Sequence, residues 1–520
     1  MKTFQTPSPF SGEGGGEGLR DRSSLSRPAG TLPREGGGEL AAWDKKYLWH
    51  PFTQQAEWAG RDPIIIESGR GVWLRDIKGR RLLDGNSSLW VNVWGHNHPV
   101  LNRAIRQQLS KIAHSTFLGL THEPAIRLAK KLIEIAPGGL SRVFYSDNGS
   151  TAVEVALKMA YQYWQLVSRE TKKTKFVSLK EGYHGDTIGS VSVGGVDLFH
   201  ERFRKLLFKG YTVRPPSPYP LPEGRGPTAS EGSRPSPFRE KVGRRGDTDE
   251  GIDVILRKHH REIAAVVMEP LVQGASGIRV MPRGYLAHVA QLCRTSDILL
   301  IVDEVATGFG RTGTMFACEQ EGVSPDFLCV AKSLTGGYLP LAATLTKERI
   351  YRAFLGRYDE FKAFFHGHTY TANPLACAVA LANLNYAPVH NLLANVRNRT
   401  LQLQKIARRL AIHPHVKEVR QVGLMAGIEL VQQKGSLTPA LSHRERVPVR
   451  AGEATPYPPS LRMGLKVCDA ALKRGVWLRP LGDTIVLMPP LVISEKELGF
   501  LLKVVEEAIE EVTGLRISRE

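Results

Sequence analysis

The feature that most constrains this chain is a set of apolar, strand-like runs: FVSL from Phe176, IAAVVME from Ile263 and ILLIVDE from Ile298. A strand with one wet face alternates polar and apolar residues. A run without alternation is covered on both faces, as in a parallel sheet between helical layers. Helical patterns separate these runs, among them STAVEVALKMAYQYW from Ser150 and the stretch from Leu461 to Lys473. The fold class is therefore α/β with a mainly parallel central sheet. At 520 residues the chain is too long for a single compact core.

Three segments break this texture: residues 1–40, 214–246 and 434–462. Together they hold 17 of the 32 prolines. With little apolar area to offset ordering entropy, they read as disordered or loosely attached loops. The string PSPF occurs at Pro7 and again at Pro235, with PSPY at Pro216, the pattern of a related element inserted repeatedly. The segments also carry +7 of the formal net charge of +19. The rest contains no lysine/arginine block interleaved with aromatics, so the basic balance is not a nucleic-acid footprint. No apolar run approaches the ~18–20 residues of a membrane span, and no signal-peptide core precedes Ala41. Five cysteines without a CxxC argue against a disulfide framework or a zinc module, and for a reducing cytoplasm. The pairs His96/His98 and His366/His368 lack accompanying cysteines or carboxylates and read as loop packing rather than metal ligands.

Chemistry concentrates where the aliphatic runs end. ILLIVDEVATGFGRTG delivers Asp303 from a buried strand into a glycine-rich turn, and ligands of open α/β sheets sit at strand carboxyl ends. Gly308 to Gly313 has the spacing of a phosphate loop, but the required lysine is missing. In PDFLCVAKSLTGGYLPLAA, Lys332 ends a short apolar strand. Burial there lowers an amine's pKa and makes it a nucleophile suited to Schiff-base chemistry. A strand-end aspartate with a downstream buried lysine fits pyridoxal 5'-phosphate, whose aldehyde takes the lysine and whose ring nitrogen needs a carboxylate. VFYSDNGSTAVEVALKMA supplies a phosphate cradle: strand, turn with Gly149 and Ser150, then a long helix. GYHGDT adds Tyr183, an aromatic able to cover a planar ring.

In this order, SDNGSTAVEVALKMA, GYHGDT, VDEVATGFGRTG, AKSLTGGYLPLAA and HGHTYTANPLACA resemble the class III, fold-type I pyridoxal-phosphate aminotransferases. More narrowly, LWHPFTQ, DGNSSLW, GHNHP, THEPA, VQGASG and WLRPLGDTIVLMPPL resemble the 8-amino-7-oxononanoate aminotransferases, the 7,8-diaminononanoate synthases of biotin biosynthesis. The similarity runs from about Trp43 to about Thr513, interrupted only at the second and third segments of foreign texture.

The resemblance implies a large cofactor domain with a mainly parallel seven-stranded sheet, over residues 91–390. It also implies a smaller α+β domain joining residues 41–90 to 391–520, and a homodimer with shared active sites. Lys332 matches the Schiff-base lysine, and Asp303 the partner of the pyridine nitrogen. Gly149 and Ser150 match the phosphate-binding pair, and Tyr183 the aromatic over the cofactor that also borders the substrate. Gly367 matches a substrate contact, while His368 and Thr369 match phosphate contacts given to the neighbouring subunit. Arg479 matches the arginine that holds the oxononanoate carboxylate, a task suited to a bidentate guanidinium. Arg311 matches an arginine lining the pocket. Synthases that use S-adenosylmethionine as amino donor commonly read WHPY and SSWW. Here Phe52 and Leu89 replace the tyrosine and the first tryptophan, and Trp90 remains. Both changes are closer to the branch that takes lysine as donor.

Overall fold

The structure, a computed structural model, describes residues 37–167, 172–216, 250–432 and 454–516. Most of the three proline-rich segments lies outside these residues. Where the segments are described, they differ from expectation. Residues 37–40, expected to be disordered, open the helix Gly37–Tyr47, with Glu39 in its first turn, where a helix dipole favours an acid. Residues 454–462, also read as loose, are tied down: Gln432 N donates to Thr455 O at 2.8 Å, and the Tyr457 hydroxyl meets His415 Nδ1 at 2.7 Å.

The chain forms two compact units, Met1–Ile65 and Ile66–Glu520. In the first, the helices Gly37–Tyr47 and Gln55–Ala59 are linked through Asp44. Its carboxylate takes His50 Nε2 at 3.0 Å and Trp58 Nε1 at 2.7 Å.

The second unit is built on a seven-stranded sheet of β1 (Leu140–Ser146), β2 (Lys175–Leu179), β3 (Tyr211–Val213), β4 (Ile263–Met268), β5 (Leu299–Asp303), β6 (Phe327–Val330) and β7 (Ala342–Lys347). Their order across the sheet is β1-β7-β6-β5-β4-β2-β3. Only β7 runs against its neighbours. The aliphatic runs behave as their composition requires. Every residue of β4 and β5 is buried, and alternate side chains enter cores on opposite faces: Leu300 and Val302 on one, Leu299 and Ile301 on the other. Burying each such side chain contributes roughly 1.5–3 kcal/mol. The helix Gly149–Val167 covers the second face with Ala152, Val153, Ala156 and Ala160, small residues that let it lie close to the sheet.

Two further four-stranded sheets lie outside this layer. One pairs Val416–Val422, Met425–Leu430, Thr484–Leu487 and Pro480–Leu481 antiparallel. The other combines Ile66–Arg70, Trp73–Asp76 and Arg81–Asp84 with Val476–Trp477, so that Trp477 pairs with Asp84 across almost the whole sequence. The helix Glu495–Thr513 closes over them from a capping box in which Ser494 and Glu497 satisfy each other's backbone N–H. No helix among the described residues is long and apolar enough to cross a membrane.

Candidate active site

Because β1, β2, β4, β5 and β6 run in one direction, the residues that follow them collect along one edge of the sheet. Asp303 ends β5, Glu269 follows β4, Lys332 stands two residues beyond β6, and Tyr183–His184 and Gly149–Ser150 follow β2 and β1. The two acids of the Asp-Glu pair part company here. Glu304 is fully buried and accepts the Cys318 N–H at 2.8 Å. Asp303 accepts Val305 N at 3.0 Å on one oxygen and meets His184 Nδ1 at 2.8 Å on the other. Burial alone would lower the His184 pKa, but the hydrogen bond and charge of Asp303 raise it instead.

Glu269 was not singled out by the sequence reading, although it is the acid that ends IAAVVME, the same signal that marks Asp303. Its carboxylate accepts Tyr183 N at 3.1 Å and Gly274 N at 2.9 Å, joining the loops after β2 and β4. Burial pushes its pKa up to about 7 from 4.5. An acid whose folded pKa is raised keeps its proton longer in the folded state than in the unfolded one. Stability therefore falls as pH rises from about 4.5 to about 7. In cofactor-stripped protein, Glu269→Gln should flatten that fall, by on the order of 1–3 kcal/mol. Melting curves at pH 5 and pH 8 check this; a wild-type difference between the two that the variant leaves unchanged refutes it.

Lys332 opens the short 3-10 turn Lys332–Thr335 rather than ending the strand, and its φ of 46° is left-handed. Such backbone in a residue that is not glycine is strained and tends to occur at functional sites. Burial lowers the pKa of its amine, the charges of Asp303 and Glu269 offset part of that, and Arg311 lowers it further. Nζ lies 5.1 Å from the centre of the Trp90 ring. Ser150 Oγ, at the start of the helix Gly149–Val167, accepts Asp186 N at 3.2 Å, which draws the GYHGDT turn onto the helix N-terminus. The approach is close: a Cβ on Gly185 would stand 1.9 Å from Ser150 Oγ, and one on Gly149 would stand 2.5 Å from Val305 Cγ1. Tyr183 donates its hydroxyl to Asp186 at 2.7 Å. The donor set is thus a desolvated amine, an aspartate side chain backed by His184, and a helix N-terminus with a serine hydroxyl. It fits a group bearing an aldehyde, a ring nitrogen and a phosphate.

The other predicted residues are placed as follows. Arg311, expected to line the pocket, is fully buried, with its terminal nitrogens on protein oxygens and its Nε without a partner. It donates to Pro489 O at 2.6 Å, Leu424 O at 3.5 Å, Ser87 Oγ at 3.2 Å and Asn92 O at 3.5 Å. Burial lowers its pKa to about 9, so it stays charged at neutral pH; it ties backbone segments together, and its charge acts on Lys332. His368 Nδ1 meets Asp147 Oδ2 at 2.6 Å, two residues before Gly149, while Gly367 and Thr369 beside it are exposed. Leu89 is exposed beside buried Trp90. Arg479 is half-buried, and its backbone N–H is bound by the Asn86 side chain at 2.8 Å. Phe52 belongs to the first unit, where it is exposed with a φ of 51°. His96 Nε2 contacts Asp84 at 3.0 Å, and the His98 ring packs on Trp94 and Tyr386.

The family model described as Aminotransferase class-III matches residues 55–509. This chain is a class-III aminotransferase. An adenosylmethionine-8-amino-7-oxononanoate aminotransferase of Geobacter sulfurreducens is 46% identical to it, covering 91% of this chain and 98% of that protein. The enzyme of the same name from Aquifex aeolicus is 48% identical over 91% and 97%. Among solved structures, the adenosylmethionine-8-amino-7-oxononanoate aminotransferase of Methanocaldococcus jannaschii superposes with a TM-score of 0.80 at 42% identity, covering 92% of this chain and 99% of that one. An omega transaminase from Pseudomonas jessenii, solved in complex with PMP, gives 0.79 at 30% over 91% and 98%. Class-III aminotransferases use pyridoxal 5'-phosphate, the group that the donor set around Lys332 fits.

Proposed function

We propose that this aminotransferase converts 8-amino-7-oxononanoate to 7,8-diaminononanoate, a step of biotin biosynthesis, with S-adenosylmethionine as amino donor. The observation that carries the chemistry is the convergence of Lys332, Asp303 and the Gly149–Ser150 helix start on one sheet edge. The relatives' names support the substrate. Pyridoxal phosphate supplies the electron sink and carries the amino group from donor to acceptor. Lys332 Nζ would hold its aldehyde and, once released, take a proton from the amine-bearing carbon of the donor and return one later. Asp303 would hold the ring nitrogen, with His184 fixing the carboxylate. The N–H groups at Gly149 and Ser150, with the serine hydroxyl, would hold the phosphate, and Tyr183 would cover the ring. Leu89, Trp90 and Gly367 would border the substrates.

Arg479 would hold the oxononanoate carboxylate. Arg479→Ala should raise the KM for the ketone by about 30–150-fold, the loss of a charge-assisted bidentate pair. The KM of an analogue lacking the carboxylate should hardly change. Equal effects on both ketones would remove Arg479 from that role.

Lysine is the second reading for the donor, favoured by Phe52, which lacks the tyrosine hydroxyl, and by Leu89, which lacks the tryptophan ring. Each donor offered separately to the yellow holoenzyme decides the matter: the true donor bleaches the cofactor band, and the ketone restores it. Failure of both donors to aminate 8-amino-7-oxononanoate overturns the reading.

A homodimer with shared sites is part of this proposal. Segments 114–122 and 370–372 are joined by His122 Nε2 and Ala372 O at 2.7 Å and by the His114–Tyr370 rings at 4.8 Å. Around them Leu118, Leu120, Phe365 and Tyr370 are exposed, an apolar surface suited to a second copy. In it, His368 and Thr369 would reach the neighbouring subunit's phosphate. Five buried free cysteines support a cytoplasmic location.

A further inference from the structure

Asp84 has no part in the chemistry above, yet it is fully buried at the end of the strand Arg81–Asp84. It accepts Ser88 N at 2.8 and 2.7 Å on its two oxygens, Ser88 Oγ at 3.0 Å and Asn86 N at 3.3 Å, and it meets His96 Nε2 at 3.0 Å. His96 is held in turn by Asn92 Nδ2 at 3.3 Å.

The segment so gripped is strained. Ser87, Ser88 and Trp90 have φ values of 43°, 62° and 65°, left-handed backbone in three residues with side chains. Such conformations persist only where the surroundings over-determine them. The opposite side of the loop is anchored as well. Arg311 donates to Ser87 Oγ, Ser87 Oγ donates to Met488 O, and the Asn86 amide donates to Val486 O at 3.0 Å while accepting Arg479 N at 2.8 Å. The loop presents Trp90 to the reactive amine. Its ring lies 5.1 Å from Lys332 Nζ and rests on Gly274, where a Cβ would stand 3.1 Å from Trp90 Cζ3.

We infer that Asp84 is a positioning residue for substrate: it holds the strained Ser87–Trp90 loop so that Trp90 stands beside Lys332, and through Asn86 it steadies the backbone of Arg479. This rests on reading the site as an aminotransferase's. Asp76 is the natural control. It is an equally buried carboxylate in the same sheet, but it caps only its own turn, accepting Lys78 N at 3.0 Å and Arg80 N at 2.8 Å and pairing with Arg80 Nε.

The test compares Asp84→Asn and Asp76→Asn as holoenzymes. Asp84→Asn should raise the donor KM by on the order of tenfold, with kcat within about threefold. Borohydride should still trap the cofactor on Lys332. Asp76→Asn should lower the melting temperature and leave both substrate KM values within about twofold. Combined with Trp90→Ala, Asp84→Asn should add little further loss, because both act through one loop. A donor KM for Asp84→Asn no different from that of Asp76→Asn, or full multiplication of the two losses in the double variant, overturns the inference. If Asp84→Asn does not fold, His96→Gln decides: a smaller KM rise with unchanged trapping supports it, and an unchanged KM overturns it. Wild-type turnover of the ketone reports separately on the function itself.

Discussion

Lys332→Ala should leave a folded protein that loses at least about 10³-fold in turnover and no longer carries borohydride-fixed cofactor. Both losses trace to one atom. Nζ is buried enough for its pKa to fall even though the charges of Asp303 and Glu269 offset part of that, so it gives up a proton more readily than a surface lysine. Removing it deletes the covalent anchor and the base together. A small primary amine added to the variant should restore part of the rate, because an amine in solution can replace the base but not the anchor. Lys347→Ala is the comparison. That amine pairs with Asp326 at 3.1 Å, so its loss should cost stability rather than turnover. A Lys332→Ala enzyme running at wild-type rate removes Lys332 from the chemistry.

What was legible in the sequence follows from how local each signal is. A run such as ILLIVDE states its own burial, because two-sided covering erases alternation within seven residues, and the residue at its carboxyl end is then placed by the sheet. Asp303 was readable for that reason. Glu269 stood at the end of an equal run and was passed over, though the same argument applies to it. The burial of Arg311 was not legible, because an arginine in a glycine-rich turn says nothing of what covers it. Its partners lie at residues 87, 92, 424 and 489, brought together only by the folded chain. The Asp84 network was hidden for a similar reason, since the left-handed loop of Ser87, Ser88 and Trp90 is held by Asp84 on one side and by Arg311, Val486 and Met488 on the other. Proline content marked three segments as loose, yet Tyr457 pairs with His415 and Gln432 binds Thr455, contacts that composition cannot register.

Asp303→Asn separates cofactor attachment from cofactor activation. The substitution keeps volume and a hydrogen-bonding oxygen but removes the charge that faces His184 and that would hold the ring nitrogen. Lys332 is untouched, so borohydride should still fix the cofactor, whereas kcat should fall about 10²–10³-fold as charge stabilisation in a dry site is lost. Stability should respond through His184. Its folded pKa is raised above the ordinary 6.5 by Asp303, so that contribution is complete below about 6.5 and disappears as pH climbs through the raised value. With asparagine opposite, His184 keeps only the more distant field of Glu269 and gives up its proton earlier. The stability gap between wild type and variant should therefore be wider at pH 6 than at pH 9. Turnover within tenfold of wild type would take Asp303 away from the ring nitrogen. A gap that widened toward alkaline pH would show that Asp303 stabilises the fold by some route other than His184.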